Sequence, residues 1–236
     1  MKENNTLPIR IICATRGSKE NFFNTKTGKS IQACQKITKY ELNLFSENSE
    51  GLSKVYNIAI EDSKNKPAIL VFIHDDILLG DFYYGKRISE GLQQYDIVGC
   101  AGCKKRHDKQ PSWCHMYYEK TKNKFLFHNH SNLSGAIGHG ESYPEIIDYY
   151  GETHQECALL DGVLLAAKST TLLENDLRYD EDFKFHFYDL DFCRTAELKG
   201  LKMGTIDLSL IHASAGNFGN LSWQEAYEKY IQKWNA

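Results

Sequence analysis

Proline is scarce in this chain, with 4 residues in 236, and no internal repeat, low-complexity tract or Gly/Ser/Pro linker divides it. With aromatics at 12% and apolar residues at 42%, this excludes disorder and collagen-like or linker-like composition. An excess of positive charge is also missing. The 28 Lys+Arg against 31 Asp+Glu give a formal net charge of −3, which excludes a strongly basic nucleic-acid-binding protein and leaves room only for a local basic patch. No segment approaches the roughly 20 apolar residues of a membrane-spanning helix. The most apolar window, 158–167, is interrupted by Asp161. The first residues, MKENNTLPIRIICATR, hold no apolar stretch of signal-peptide length. The seven cysteines are odd in number and scattered, so they are expected to be reduced thiols of a cytoplasmic protein.

Three common signatures are missing as well. Lys26-Thr27-Gly28-Lys29-Ser30 contains GKS, but no upstream glycine or leading strand makes it a P-loop. No G-x-G-x-x-G follows the first strand, and no G-x-S-x-G is present.

What is there suits one α/β domain over 1–236, a size at which roughly 70% of the unfolded surface is buried. Residues 8–14 (PIRIICA) read as a first central strand ending at Thr15-Arg16-Gly17, and 40–45 (YELNLF) as a second. Leu52, Val55, Tyr56, Ala59 and Ile60 recur at helical spacing. Residues 67–73 (PAILVFI) form a near-continuous apolar run, as in a strand buried on both faces, and stop at His74-Asp75-Asp76. A helix over 81–94 and a strand over 96–101 follow. This order predicts a doubly wound sheet with functional residues just past the strand ends.

Residues 102–150 have no clear period. They read as long loops and small strands that hold ligands rather than core. Residues 158–168 predict a buried strand pair kinked at Asp161-Gly162. A helix over 186–200 closes at Lys199-Gly200, and 203–212 reads as one strand. Ser222 and Glu225 suggest a capping box for a last helix, whose apolar stripe is Trp223, Ala226, Tyr227, Tyr230, Ile231 and Trp234.

The sharpest chemical signal is FIHDDI, residues 72–77. Two adjacent carboxylates at the end of a buried strand repel each other, and a hard divalent cation is the usual reason for keeping them. The alternative is helix N-terminal acidity. In FHFYDLDF, residues 185–192, Asp189 opens a helix behind an aromatic loop, as a general base or as ordinary N-terminal acidity. His212 ends a late strand, as a hydrogen-bonded structural residue or as a metal ligand. Cys100 and Cys103 form a CxxC followed by Cys114-His115, but the spacing is poor for zinc. His128, His130 and His139 read as part of a solvated loop, or as one wall of a polar pocket.

Taken in order, these pieces resemble a GT-A fold glycosyltransferase of the broad family 2-like group, found in bacterial surface-glycan and glycoprotein assembly. The matching stretches are ATR (14–16), SENSEGLSKVYNIAIEDS (46–63), FIHDDI (72–77), YDIVGCAG (95–102), LDGVLLAAKS (160–169), FHFYDLDFCRTAELKG (185–200) and LIHASAG (210–216). The resemblance implies an α/β fold, a GT-A type Rossmann-like mixed, mostly parallel sheet flanked by helices. It implies a nucleotide-binding half over about 1–102 and an acceptor-binding half over about 103–236. Ala14, Thr15 and Arg16 would line the nucleotide pocket, with Asn57 and Asn48 on the base or ribose. The HDD run stands where such enzymes carry a DxD motif, so Asp75 would approach the ribose or diphosphate. Asp76 would bind Mn²⁺ or Mg²⁺, completed by His212. Asp161-Gly162 would lie beside donor sugar and acceptor, and Asp189 would be the catalytic base. The chain departs from the family pattern at His74, where an Asp is usual, and at Tyr188, where a Glu is usual.

The implied activity is a metal-dependent, inverting transfer of sugar from a nucleotide-sugar, a UDP-sugar, to a glycan, glycoprotein or lipid-linked acceptor. The setting is the cytoplasm, with room for peripheral association at the inner membrane face and no nucleic-acid partner. The rivals are a sugar nucleotidyltransferase, whose usual Gly-rich loop is here reduced to Gly17, and a non-catalytic carbohydrate-binding module.

Overall fold

Strands form where β-branched and apolar residues run together, and the most apolar run lies at the centre. The computed structural model describes residues 7–141, 145–214, 216 and 218–234. In chain order, β1 (Ile9–Ala14) leads through α1 (Lys19–Phe22) and α2 (Lys26–Cys34) to β2 (Tyr40–Phe45). Next come α3 (Leu52–Asp62), β3 (Ile69–Ile73), β4 (Ile77–Leu79), α4 (Tyr84–Gly91), β5 (Ile97–Gly99) and β6 (Ala101–Cys103). The middle holds β7 (His115–Glu119), β8 (Lys124–Phe127), β9 (Leu133–His139) and β10 (Ile146–Gly151). The chain ends with β11 (Leu159–Leu160), β12 (Leu164–Lys168), α5 (Ser169–Glu174), α6 (Tyr188–Leu198), β13 (Met203–Thr205), β14 (Leu210–His212) and α7 (Leu221–Trp234).

The main sheet runs β13-β5-β12-β3-β1-β2. β1 pairs parallel with β2 and β3, and β13 parallel with β5. β12 is the exception, antiparallel between β3 and β5. Every residue of β3 is buried, each such side chain contributing about 1.5–3 kcal/mol. A second sheet, β11-β6-β9-β14-β4 with β10 on β9, is antiparallel apart from β14 on β9.

Two expected strands turn out to be divided between the sheets. The run 96–101 splits at Cys100, and 203–212 splits after Thr205, so each delivers its second part to the other sheet. Alternation along a chain cannot show a change of partner. The stretch expected to be irregular holds β7 to β10, with β7 and β8 a separate hairpin. α6 starts at Tyr188, later than expected, because Phe187 adopts a left-handed φ of 65° and its ring is held against Trp223, Tyr227 and Tyr230 of α7. The expected capping box is absent. Asn220 caps α7 instead, its Oδ1 accepting from the Trp223 N–H (2.8 Å) and from the Ser222 hydroxyl (2.8 Å). All seven cysteines are free and buried. Among the described residues no helix is long and apolar enough to cross a membrane.

Candidate active site

The loops after β1, β3, β11 and β14 and the start of α6 converge on one cleft of about 1520 Å³. After β1, the Thr15 N–H donates to the Phe45 carbonyl at the end of β2 (2.9 Å), and the Asn48 N–H donates to the Thr15 carbonyl (2.9 Å). Ala14, Thr15, Arg16 and Asn48 line the cleft. Asn57 does not. It lies on the face of α3 turned to 179–181, where its amide donates to the Tyr179 carbonyl and Glu181 and accepts from the Tyr179 N–H.

The HDD turn leaves the end of β3. Its geometry comes from a residue that sequence reasoning missed, the fully buried Thr27. The Thr27 hydroxyl donates to the His74 carbonyl (2.6 Å), lies 2.9 Å from the Ile77 carbonyl and accepts from the Ile77 N–H (2.9 Å). The KTGKS run (26–30) thus opens α2 and braces the turn, with Thr25 capping that helix on the Gly28 N–H.

His74, Asp76 and His212 each offer one donor atom, and these atoms all lie within 4.8 Å of one another. His212 Nε2 is 3.4 Å from Asp76 Oδ2 and 2.9 Å from the Ser214 hydroxyl. Burial alone would raise the Asp76 carboxyl, but chiefly the hydrogen bond and charge of His212 hold it at about 2. Burial works against the cationic form of His212, and Asp76 followed by Asp161 outweighs it and raises its pKa. Burial keeps His74 neutral, at about 4. Asp76 Oδ1 is buried with no hydrogen-bond partner, an arrangement costing about 1–3 kcal/mol unless something satisfies it. Two imidazoles and a carboxylate with an unsatisfied oxygen fit a divalent cation.

The kink between β11 and β12 forms the next wall. Asp161 accepts from the Trp113 indole N–H (2.8 Å) and from the Val163 N–H (3.0 Å). Burial raises its carboxyl, against those two bonds and the His212 charge. Gly162 donates its N–H to Asp189 Oδ2 (3.0 Å). Asp189, in the first turn of α6, is pushed to about 7, chiefly by burial and then by the neighbouring Asp161 charge. A carboxyl tuned to neutrality beside an open cleft is what a general base needs.

The far wall comes from 102–150, the stretch expected to hold ligands, and its histidines fall to the pocket reading rather than to the solvated loop. His128, His130 and His139 line the cleft with Trp113 and His115. His115 and His128 are buried and held at about 4, mainly by that burial. Trp113 carried no recognisable spacing, and His115 stood out only beside Cys114, in a zinc pattern that its spacing did not support.

This sheet arrangement, with a cleft at its strand ends, defines a GT-A fold. Solved structures share it. S. aureus TarS 1–349 matches at 13% identity with a TM-score of 0.50, over 95% of this chain and 64% of that one. GalNAc-T7, solved with UDP, GalNAc and Mn²⁺, matches at 11% identity with a TM-score of 0.52, over 98% of this chain and 49% of that one. The chain thus spans 64% of that TarS segment and about half of the GalNAc-T7 chain. The family model described as "Glycosyltransferase like family" matches residues 12–233, and the chain belongs to that family. No curated protein sequence matches it.

Proposed function

We propose that the chain transfers a sugar from a nucleotide-sugar, a UDP-sugar, to an acceptor hydroxyl with inversion at the anomeric carbon. The observation that carries this reading is the meeting of Asp189 and the His74–Asp76–His212 set in one cleft. The GalNAc-T7 neighbour, which holds UDP, GalNAc and Mn²⁺, supports the donor class and the ion.

In this reading Ala14, Thr15, Arg16, Asn48 and Asp75 bind the nucleotide, and the exposed Arg16, without an ion pair among the described residues, faces its phosphates. His74, Asp76 and His212 would hold Mn²⁺ or Mg²⁺, which supplies charge neutralisation of the departing diphosphate. Asp189 takes the proton of the acceptor hydroxyl as that oxygen bonds to the anomeric carbon and the nucleoside diphosphate leaves. Asp161, fixed by Trp113 and Val163, and Gly162 form the wall beside which donor sugar and acceptor lie. Residues 1–102 serve as the nucleotide half and 103–236 as the acceptor half, taking a glycan, glycoprotein or lipid-linked acceptor. We place the reaction in the cytoplasm or at the inner face of its membrane.

The test is donor hydrolysis and transfer with and without Mn²⁺. Asp76→Ala and Asp189→Asn are each expected to lower turnover by about 100-fold or more. Wild-type turnover in both variants sinks the reading. Pyrophosphate release from a nucleoside triphosphate and a sugar phosphate would replace it with nucleotidyl transfer.

A further inference from the structure

His74, at the head of the HDD run, and Tyr188, at the start of α6, touch each other. His74 Nε2 and the Tyr188 hydroxyl oxygen are 2.8 Å apart, and the same hydroxyl donates to the Gly162 carbonyl at 2.8 Å. A phenol has one proton. With that proton directed at Gly162, the oxygen can only accept from the imidazole, so His74 Nε2 must carry the hydrogen. In the neutral ring the lone pair then lies on Nδ1. The surroundings hold this arrangement. Tyr188 is 3% exposed, its ring set against those of Tyr56 and Tyr179 (6.0 Å each). A side chain on Gly162 would meet the hydroxyl at 2.4 Å.

We propose that Tyr188 is a positioning residue that holds His74 in its Nε2–H form, so that the first position of the HDD run offers a cation a nitrogen lone pair where an acidic residue would offer oxygen. This rests on reading His74, Asp76 and His212 as the cation site. The donor set then has two nitrogens and one carboxylate. Mg²⁺ prefers oxygen and gives up its water reluctantly, whereas first-row transition ions accept imidazole, Co²⁺ more tightly than Mn²⁺. The site therefore ranks Co²⁺ above Mn²⁺ and Mn²⁺ above Mg²⁺. The Tyr188 bond is the outer contact that orients a ligating histidine, and removing such a contact lowers metal affinity about 10- to 100-fold.

The experiment uses the full chain, stripped of metal and labelled with ¹⁵N-histidine. Long-range ¹H–¹⁵N spectra, with the His74 signals assigned by their loss in His74→Asn, read which ring nitrogen carries the proton, and calorimetry reads Co²⁺, Mn²⁺ and Mg²⁺ binding. His74 is expected as the Nε2–H form in wild type and as a mixture in Tyr188→Phe, with Mn²⁺ bound about 10-fold or more weakly in the variant. His74→Asp, which has no tautomer to set, is expected to move the Mn²⁺/Mg²⁺ preference toward Mg²⁺ by about 10-fold. Adding Tyr188→Phe to it should change Mn²⁺ affinity less than about 2-fold. A wild-type proton on Nδ1, or a Tyr188→Phe protein binding Mn²⁺ as wild type does, overturns the proposal alone. Wild type that binds none of the three ions overturns the cation reading and the proposal with it. Should Tyr188→Phe fail to fold, the wild-type tautomer and the His74→Asp preference decide the matter.

Discussion

Trp113 Nε1 lies 2.8 Å from Asp161 Oδ2, joining the loop before β7 to the kink between β11 and β12. The two residues are 48 apart, and the bond is the direct link between the far wall of the cleft and the carboxylate nearest Asp189 in charge. Trp113 is itself buried and meets Tyr150 edge-on at 4.8 Å. Trp113→Phe keeps most of that packing and removes only the donor. The expected cost is about 1–3 kcal/mol, because Asp161 is left with one fewer hydrogen bond. Urea unfolding measures it, and an unchanged midpoint would show the bond to be idle.

Asp189 gives the pH dependence its sign. Its carboxyl is raised from its ordinary value to about 7 by burial and by Asp161. A base works when ionised, so turnover should rise with pH through about 7 and then level off. The stability effect runs the other way. Between about pH 4 and pH 7 the folded protein keeps a proton that the unfolded chain has lost, so this group's contribution to stability falls as pH rises through that window. Asp189→Asn should therefore be inactive yet more stable than wild type at pH 8, by at most about 4 kcal/mol, and equal to it near pH 4. Thermal melts of both proteins across that range check the sign.

Thr27 is expected to matter at a distance from the chemistry. Its hydroxyl joins the carbonyls of His74 and Ile77 and the Ile77 N–H, the two Ile77 bonds being buried. Thr27→Val keeps the shape and leaves the Ile77 N–H without its partner, a loss of about 1–3 kcal/mol. The HDD turn loses its brace, so Mn²⁺ affinity should fall as well. Thr27→Ser should restore both. A valine variant that binds Mn²⁺ as tightly as wild type would separate the brace from the site.

Cation removal should be visible without any turnover. A ligand that binds only the folded state adds about 2.7 kcal/mol of stability at 100 times its Kd. Mn²⁺ should raise the melting temperature of wild type and leave Asp76→Ala unmoved, and a chelator should reverse the wild-type shift. Equal shifts in both proteins would place the ion elsewhere.

Much of the fold was legible because its strongest elements are local. The run ILVFI is apolar at every position because β3 is covered on both faces, and α3 shows its stripe because one side faces the core. Asp161-Gly162 was readable as a kink because a charge and a glycine interrupt an apolar run. What escaped the sequence depends on distant partners. Cys100 carries no mark of a strand changing sheets, and Thr27 gives no sign that it will meet a turn some 50 positions later. Phe187 adopts φ 65° with its ring held against α7, a contact that no local pattern announces. The site was readable as separate residues, HDD, Asp189 and His212, while its far wall depended on pairings of β7 to β10 that no motif announces. Asn57 shows the reverse error, a plausible polar residue whose amide is already used to hold 179–181.

Gly162 offers the most economical single test of how these parts depend on each other. A β-carbon there would meet the Tyr188 hydroxyl at 2.4 Å and the Asp189 Cβ at 2.8 Å. Neither neighbour is the free end of a flexible chain. The hydroxyl is tied to His74 and to the Gly162 carbonyl, and the Asp189 Cβ is fixed by the first turn of α6. Gly162→Ala must therefore push the start of α6 away from the kink, stretching the Gly162 N–H bond to Asp189 (3.0 Å) and the Tyr188 bond to His74 (2.8 Å) together. Turnover should drop about 100-fold or more, as expected when a base is displaced by about an ångström, and Mn²⁺ affinity should fall along with it. Asp189→Asn, by contrast, should abolish turnover and leave Mn²⁺ binding intact. If Gly162→Ala behaves like Asp189→Asn, with full metal affinity, the kink serves the base alone and the two faces of the cleft are independent.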